Sequence, residues 1–482
     1  MRRISYIIMS LIMVLTLSSI TAFAKPDWPM DTGVQSEAGI VMDMDSGAVL
    51  FAQNIHEQKI PASITKLLTA LVVIENSDDL DAPVTFSHDA VYNVEEGAGN
   101  KFSLEEGDVL SVRECLYAML LQSSNQSANA LAEHVAGSRQ AFVDLMNRKV
   151  EELGCGESHF ANPSGLNDDT QRTSAYDMAV ISRACFRNPT LLEIASTKKA
   201  SISATANNPN GRTFSIEHKL IVTEDSSSEN YYPDAIAGKT GWTSQAGQTL
   251  VTYARRGDRG QIAVTLKSTQ QTHYSDTKTI LDFGFSRFKN VNIADNEIDY
   301  VTGTDPVSIG GESYDPSELS IDKDAVITLP NDAQFADADR ELVTDLPDDH
   351  PGEAVAQLVY SYNERKIGEA WIYSSRAQAV DTVTPVQPEG GQTPEEDPGQ
   401  DEVKPAVSFT IPRGVLIGGG AVLALAVMTG GAVFWYRKRQ AAERERQRVL
   451  REKRWQRLAD IGYTEEDFER LMEERRKQQD MR

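Results

Sequence analysis

Residues Gly414–Tyr436 read GVLIGGGAVLALAVMTGGAVFWY, 23 consecutive residues without a charge. Core helices of water-soluble domains are rarely so long and so uniformly apolar. As a helix, about 20 such residues cross roughly 30 Å of hydrocarbon. Trp435 and Tyr436 suit the membrane interface. Arg437, Lys438 and Arg439 follow at once, which favours the cytoplasmic side for the C-terminus. The chain therefore reads as a single-pass cell-membrane protein, with a charged cytoplasmic tail over 437–482 and whatever chemistry it performs outside.

The other end agrees with that topology. Arg2 and Arg3 precede an apolar run that ends at Ala22-Phe23-Ala24. A charged start, a short apolar core and a small-x-small site make residues 1–24 a secretory signal peptide. The formal charge of the whole chain is −24. The tail, with 15 cationic and 11 anionic residues, is +4, and the two leading arginines add +2. Lys25–Tyr436 is thus left with −30. So acidic an outer part excludes nucleic acid and anionic lipid headgroups as its partners. The three cysteines, Cys115, Cys155 and Cys185, are an odd number for a disulfide framework. Cys115 falls on the apolar face of a helical stretch and reads as a core residue, while a Cys155–Cys185 bridge stays open.

Between the ends, periodicity separates three regions. Ala38–Ala52 reads as two strands around an Asp45-Ser46-Gly47 turn. Ser111–Leu121, Gln126–Ala136 and Arg139–Leu153 have helical apolar spacing. Strand-like runs at 235–239, 249–254 and 261–266 precede a last helix near Tyr274–Phe285. Strands at both ends with helices between predict one α+β domain over residues 33–288. Residues 290–375 are acidic and rich in turn formers. There, Val355–Tyr362 and Ile367–Tyr373 flank a four-residue turn, Asn363–Lys366, which predicts a hairpin in a small β-rich domain. Residues 376–410 are rich in Pro, Glu, Gln and Gly and hold too little apolar surface to fold. They form a stalk that extends to roughly 100 Å. The acids after Thr464 suit a helix start in the tail, whose partner the residues do not name.

The chemistry centres on Pro61-Ala-Ser-Ile-Thr-Lys66. Ser-x-x-Lys occurs five times, so spacing alone decides nothing. Only this copy opens an apolar helix directly after a proline, which is tolerated in a first turn. Free N–H groups at such a helix start favour negative charge near Ser63. Residues three apart share a helix face, so Lys66 reaches the Ser63 hydroxyl. Burial lowers a lysine's pKa, and a neutral amine can take the serine proton. Ser123-Ser124-Asn125 interrupts two apolar helices and falls on a loop. Lys239-Thr-Gly241, followed by Trp242 and Thr243, is expected to end a strand, with Gly241 letting a substrate backbone approach.

Ser-x-x-Lys, Ser-x-Asn and Lys-Thr-Gly, in that order, form a signature shared by penicillin-binding proteins and class A β-lactamases. The fuller set adds Phe160-Ala-Asn-Pro-Ser-Gly-Leu166, Tyr176-Asp-Met-Ala179 and the stretch around Lys239. The region from about Gly33 to Phe288 thus resembles the low-molecular-mass penicillin-binding proteins that are D-alanyl-D-alanine carboxypeptidases, serine peptidase family S11. The resemblance implies a serine β-lactamase/transpeptidase-like α+β domain, an antiparallel sheet with flanking helices plus an all-helical region. It implies Ser63 as nucleophile, Lys66 as base and Ser123 as proton relay to the leaving D-alanine. Asn125, Lys239, Thr240, Gly241, Trp242 and Thr243 would bind substrate, the N–H groups of Ser63 and Trp242 forming the oxyanion hole. Peptidoglycan stem pentapeptides would be the substrate and β-lactams covalent inhibitors, with no cofactor and no metal.

Three departures bear on substrate preference. Ser124 stands where Gly or Ala is common, and Trp242 where His or Tyr is common. Glu217-His218-Lys219 replaces an Arg or Asn that some members place near the substrate carboxylate. A β-lactamase is disfavoured, because no glutamate is evidently set to activate a deacylating water. A D,D-endopeptidase or transpeptidase acts on the same bond and stays open. A non-catalytic sensor would have lost a motif residue, and none is missing.

Overall fold

The computed structural model describes residues 25–94, 99–347 and 350–376. The expected leader, stalk, membrane span and tail lie outside these residues. Among the described residues, no helix is long and apolar enough to cross a membrane.

The first two strands, β1 (Ala38–Asp43) and β2 (Val49–Gln53), form the antiparallel hairpin read from the sequence. Two short hairpins follow among the helices: β3 (Pro83–Thr85) with β4 (Val109–Ser111), and β5 (Lys199–Ile202) with β6 (Arg212–Ser215). The chain then returns through β7 (Ala235–Thr243), β8 (Gly247–Arg256) and β9 (Arg259–Ser268). The five long strands make one antiparallel sheet in the order β2-β1-β9-β8-β7. Strand β7 is therefore an edge, with one side free for another chain.

Every residue of β1 is buried, because both sheet faces are covered. Successive side chains of a strand alternate between faces. Ile40 and Met42 of β1, with Ile262, Val264 and Leu266 of β9, face a core shared with the helices Lys66–Glu75, Val112–Gln122 and Ala175–Arg187. Val41 and Ala263 face the opposite core, against Ile280 and Leu281 of the helix His273–Arg287. The Lys66–Glu75 helix is central to the first core: Leu67, Leu68, Leu71, Val72 and Val73 are all buried. At about 1.5–3 kcal/mol per buried aliphatic side chain, this packing holds the helix start firmly in place.

The helix ends follow ordinary capping chemistry. Ser111 caps Val112–Gln122 in a reciprocal capping box with Glu114. Ser124 caps Asn125–Ala136, Ser138 caps Arg139–Glu152 and Ser174 caps Ala175–Arg187. The expected helices thus stand within one or two residues of their predicted bounds.

Among the described residues beyond the helix His273–Arg287, the regular structure is mostly strand. The chain runs through β10 (Phe288–Asn292), β11 (Val307–Ile309), β12 (Glu312–Tyr314), β13 (Leu319–Ile321), β14 (Val326–Pro330), β15 (Asp339–Val343), β16 (Ala354–Tyr362) and β17 (Arg365–Ser374). The order β13-β17-β16-β15 makes a second antiparallel sheet. The border expected between residues 288 and 290 falls on β10, which pairs with β14. One apolar cluster joins Tyr360, Tyr362 and Ile372 to Ile280, Phe283 and Val41. Trp28 packs on Phe288 with ring centroids 4.8 Å apart.

Two expectations need correction. The hairpin turn is two residues, not four: Tyr362 pairs with Arg365 and Ser361 with Lys366. Asn363 and Glu364 adopt φ of 49° and 64°, the left-handed pair whose twist matches the flanking strands. The open Cys155–Cys185 bridge is absent, and all three cysteines are buried free thiols.

Candidate active site

Ser63 lies in a short 3-10 turn, Ala62–Thr65, and the α-helix proper begins at Lys66. Ala62 has φ 53°, a strained value for a residue with a Cβ. Neighbouring contacts hold it there. Thr65 Oγ1 donates to the Ala62 carbonyl at 2.9 Å, and Thr249 Oγ1 of β8 donates to the Pro61 carbonyl at 2.8 Å. Gly165 presses on the same turn, and a Cβ there would sit 2.0 Å from the Ala62 oxygen.

The Lys66 side chain is completely buried. Its Nζ lies 3.1 Å from Ser63 Oγ and 2.8 Å from Asn125 Oδ1, and it also donates to the Ser164 carbonyl. The contact with Ser63 was expected. Ser164 acts through its main chain, so no side-chain signature in the sequence points to it, although Phe160–Leu166 belongs to the motif set.

Ser123 ends the helix Val112–Gln122 in a left-handed conformation, φ 62°. Asn125 is the first residue of the next helix, so the expected loop shrinks to Ser123 and Ser124. The serine in the middle of this motif has a local reason: Ser124 Oγ accepts from the N–H and the hydroxyl of Ser127. Its side chain therefore caps the helix and leaves Ser123 and Asn125 lining the cleft.

Lys239-Thr240-Gly241, with Trp242 and Thr243, forms the end of β7, which stops at Thr243 as expected. Gly241 also answers a packing constraint within the fold. A Cβ there would meet Thr249 Oγ1 at 2.3 Å and the Ser63 nitrogen at 2.9 Å. The glycine lets the edge strand lie against the turn that carries Ser63.

Lys239 is buried, and its Nζ donates to the Thr240 carbonyl at 2.8 Å. Burial lowers this ammonium to about 8; Glu217 opposes the shift and Lys101 adds to it. His218 packs behind Gly238 and lies 2.9 Å from Thr252 Oγ1. Burial pushes His218 down to about 3, so its ring is neutral at physiological pH.

These groups converge on a cleft of about 500 Å³. Ser63, Ser123, Asn125, Thr240, Gly241, Trp242 and Thr243 line it. Lys66 and Lys239 lie beneath. Trp242 is 62% exposed, a large apolar ring at the mouth. Two lining residues carry charge that motif reasoning gave no role: Lys101 and Glu217. Glu217 had stood out only as a departure, and Lys101 had no sequence signal. A hydroxyl beside a buried amine, with an edge strand along one wall, is suited to acyl transfer on an extended peptide.

Comparison with known proteins agrees with this geometry. Residues 24–270 match the family Peptidase_S11, described as D-alanyl-D-alanine carboxypeptidase. The chain is 30% identical over 295 residues to D-alanyl-D-alanine carboxypeptidase DacF of Bacillus subtilis, covering 60% of this chain and 72% of that protein. It is 32% identical over 310 residues to DacA of Escherichia coli K12, covering 62% and 71%. The crystal structure of penicillin binding protein 6B from Escherichia coli superposes with a TM-score of 0.53 at 26% identity, covering 73% of this chain and 99% of that one. Penicillin binding protein 5 from Haemophilus influenzae, at 24% identity and TM-score 0.56, shares the fold over 72% of this chain and 98% of its own. A family match across half the sequence, on a fold that buries Lys66 against Ser63, places this chain among the S11 peptidases, the serine D-alanyl-D-alanine carboxypeptidases.

Proposed function

We propose that this protein is a membrane-anchored penicillin-binding enzyme that trims the terminal D-alanine from peptidoglycan stem pentapeptides through an acyl-enzyme on Ser63. The observation that carries this is the surround of Lys66 Nζ. Nζ donates to Asn125 Oδ1 at 2.8 Å and to the Ser164 carbonyl, and lies 3.1 Å from Ser63 Oγ. As a neutral amine at that distance it can accept the serine proton.

Ser63 Oγ then adds to the carbonyl carbon of the penultimate D-alanine as its proton passes to Lys66 Nζ. The carbonyl oxygen takes up the electron pair and is held by the N–H groups of Ser63 and Trp242. The C–N bond breaks, and Ser123 passes the proton to the leaving amine. D-alanine departs and an ester on Ser63 remains. Water attacks the ester, Lys66 takes its proton, and Ser63 Oγ regains one. Asn125 orients the substrate amide, while Lys239, Thr240 and Thr243 receive the terminal carboxylate. A β-lactam enters by the same first step, and its ester deacylates slowly.

The fold, cleft and active-site chemistry belong to residues 33–288, with 290–375 as a β-rich appendage and 376–410 as a spacer from the membrane. The catalytic part works outside the cytoplasm, held by the span at 414–436. Release of D-alanine from a synthetic peptide ending in D-Ala-D-Ala tests the reading, measured with wild type and Ser63→Ala. The wild type is expected to release D-alanine and the variant none. Equal release by both would move the nucleophile elsewhere. Truncation after residue 410 is expected to move the activity from the membrane to the soluble fraction.

A further inference from the structure

The lining of the cleft holds a contact that the catalytic chemistry does not require. Lys101 Nζ donates to Glu217 Oε1 at 2.6 Å and to the Gln122 carbonyl at 2.8 Å. Gln122 directly precedes Ser123, and the Glu217 N–H donates to the Leu121 carbonyl at 2.9 Å. The pair thus lies in the cleft lining beside Ser123. Both charges are also felt by Lys239. Trp242, Thr243, Ser244 and Gln248 also line the cleft.

The Lys101 backbone is held where the bridge needs it. Phe102 is buried and packs edge-on against Phe214, with ring centroids 5.0 Å apart. Arg212 lies over the Phe102 ring at 5.2 Å and donates to the Lys101 carbonyl. An ion pair as exposed as this one contributes little to stability by itself. Its position in the cleft lining is the property that matters.

We infer that the Lys101–Glu217 ion pair walls off the leaving-group end of the cleft and so restricts cleavage to bonds whose leaving group is a single terminal amino acid. This rests on the assignment above, in which Ser123 and Lys239 face the departing D-alanine. A terminal D-alanine ends in a small carboxylate, which fits between Lys239 and the bridge. In a cross-linked peptide the leaving amine belongs to a second stem peptide, whose remaining chain has to pass through the place the bridge occupies. The opposed charges also cancel, so the wall does not compete with Lys239 for the carboxylate. The result is exopeptidase action from a site whose chemistry would serve an endopeptidase equally well.

The test uses the full chain in detergent with two substrates, a stem pentapeptide ending in D-Ala-D-Ala and a cross-linked dimer of stem peptides. The reading is the ratio of kcat/KM for the two, with fluorescent-penicillin labelling of Ser63 as the check on a folded site. Wild type is expected to favour the pentapeptide strongly. Lys101→Ala is expected to shift the ratio toward the dimer by roughly tenfold or more. The charge-swapped pair, Lys101→Glu with Glu217→Lys, is expected to return it toward wild type. An unchanged ratio in Lys101→Ala that still labels with penicillin overturns the wall, as does a swap that leaves the ratio shifted. Should Lys101→Ala fail to label, Lys101→Gln, which keeps the stem and its packing, is read by the same criteria. A wild type that labels but releases no D-alanine overturns the underlying assignment, a result distinct from failure of the wall alone.

Discussion

Lys66 Nζ stands 3.1 Å from Ser63 Oγ on a side chain with no solvent exposure. A base in that position is useful only if it can exist without its proton. Lys66→Arg keeps the charge and much of the length but never deprotonates. It is expected to cut both D-alanine release and penicillin acylation by about 10²–10⁴, the range for losing a general base. Second-order acylation rates measure this directly. A loss smaller than about tenfold would place the base elsewhere.

Lys239 gives a pH signature. Burial lowers its folded value to about 8 from 10.5. With the charged form receiving the substrate carboxylate, as proposed, KM for the D-Ala-D-Ala peptide is expected to rise as pH climbs through about 8. The linkage to stability has a definite sign. Between about 8 and 10.5 the unfolded chain binds more protons at this site than the folded one. Stability from this group therefore increases with pH across that window, and the penalty for burying the ammonium is full below it. Lys239→Met is expected to raise Tm at pH 7 while abolishing turnover, and its Tm advantage is expected to shrink toward pH 10.5. Parallel melting curves across that range test both statements.

His218 acts in the opposite part of the pH scale. Burial, chiefly, drives it down to about 3 from 6.5. The unfolded chain gains the proton first as pH falls, so stability present above 6.5 is lost on the way to 3. The slope from one such group approaches about 1.4 kcal/mol per pH unit. His218→Gln is expected to flatten the acid limb of a chemical-denaturation profile, and an unchanged limb would contradict this.

Gly241 couples the edge strand to the turn that carries Ser63. An alanine Cβ at this position meets Thr249 Oγ1 at 2.3 Å and the Ser63 nitrogen at 2.9 Å, so either the strand or the turn has to move. A displacement near 1 Å at a reacting group costs about 10²-fold in rate. Gly241→Ala is expected to slow penicillin acylation by that order with only modest loss of Tm. Wild-type acylation would show that the strand and the Ser63 turn are not in register as described.

In the β-rich part, Glu297 is buried and receives the Tyr360 hydroxyl at 2.7 Å and Arg340 Nη1 at 2.5 Å. Glu297→Ala leaves the buried Tyr360 hydroxyl without its acceptor, while Arg340 keeps Asp299 at 2.8 Å. The expected cost is about 1–3 kcal/mol, read as a lowered Tm with D-alanine release unaffected at 25 °C. Lost activity at an unchanged Tm would contradict the separation of this cluster from the cleft.

Much of this organisation was legible in the residues because it rests on local rules. The apolar spacing of Val112–Gln122, Asn125–Ala136 and Arg139–Glu152 located those helices closely. The three motif groups named the serine, the lysines and the asparagine that now converge. What escaped was set by tertiary contact. Gly241 is required by the distant Thr249 and by the turn at Ser63. The Ser164 carbonyl reaches Lys66 across 98 positions of sequence. Lys101 and Glu217, 116 positions apart, meet only because Phe102 packs on Phe214. The two-residue turn at Asn363-Glu364 escaped for a smaller reason: Glu364 is an unusual residue for φ 64°.

The account turns on Ser63 as the acylated atom, and mass spectrometry of the penicillin-treated protein tests that claim most directly. Tryptic cleavage after Lys59 and Lys66 isolates Ile60–Lys66, whose only hydroxyl-bearing residues are Ser63 and Thr65. The account predicts one penicillin adduct per chain, on that peptide, localised by fragmentation to Ser63. A stoichiometric adduct on any other peptide, or D-alanine release by an enzyme that penicillin never acylates, would contradict it.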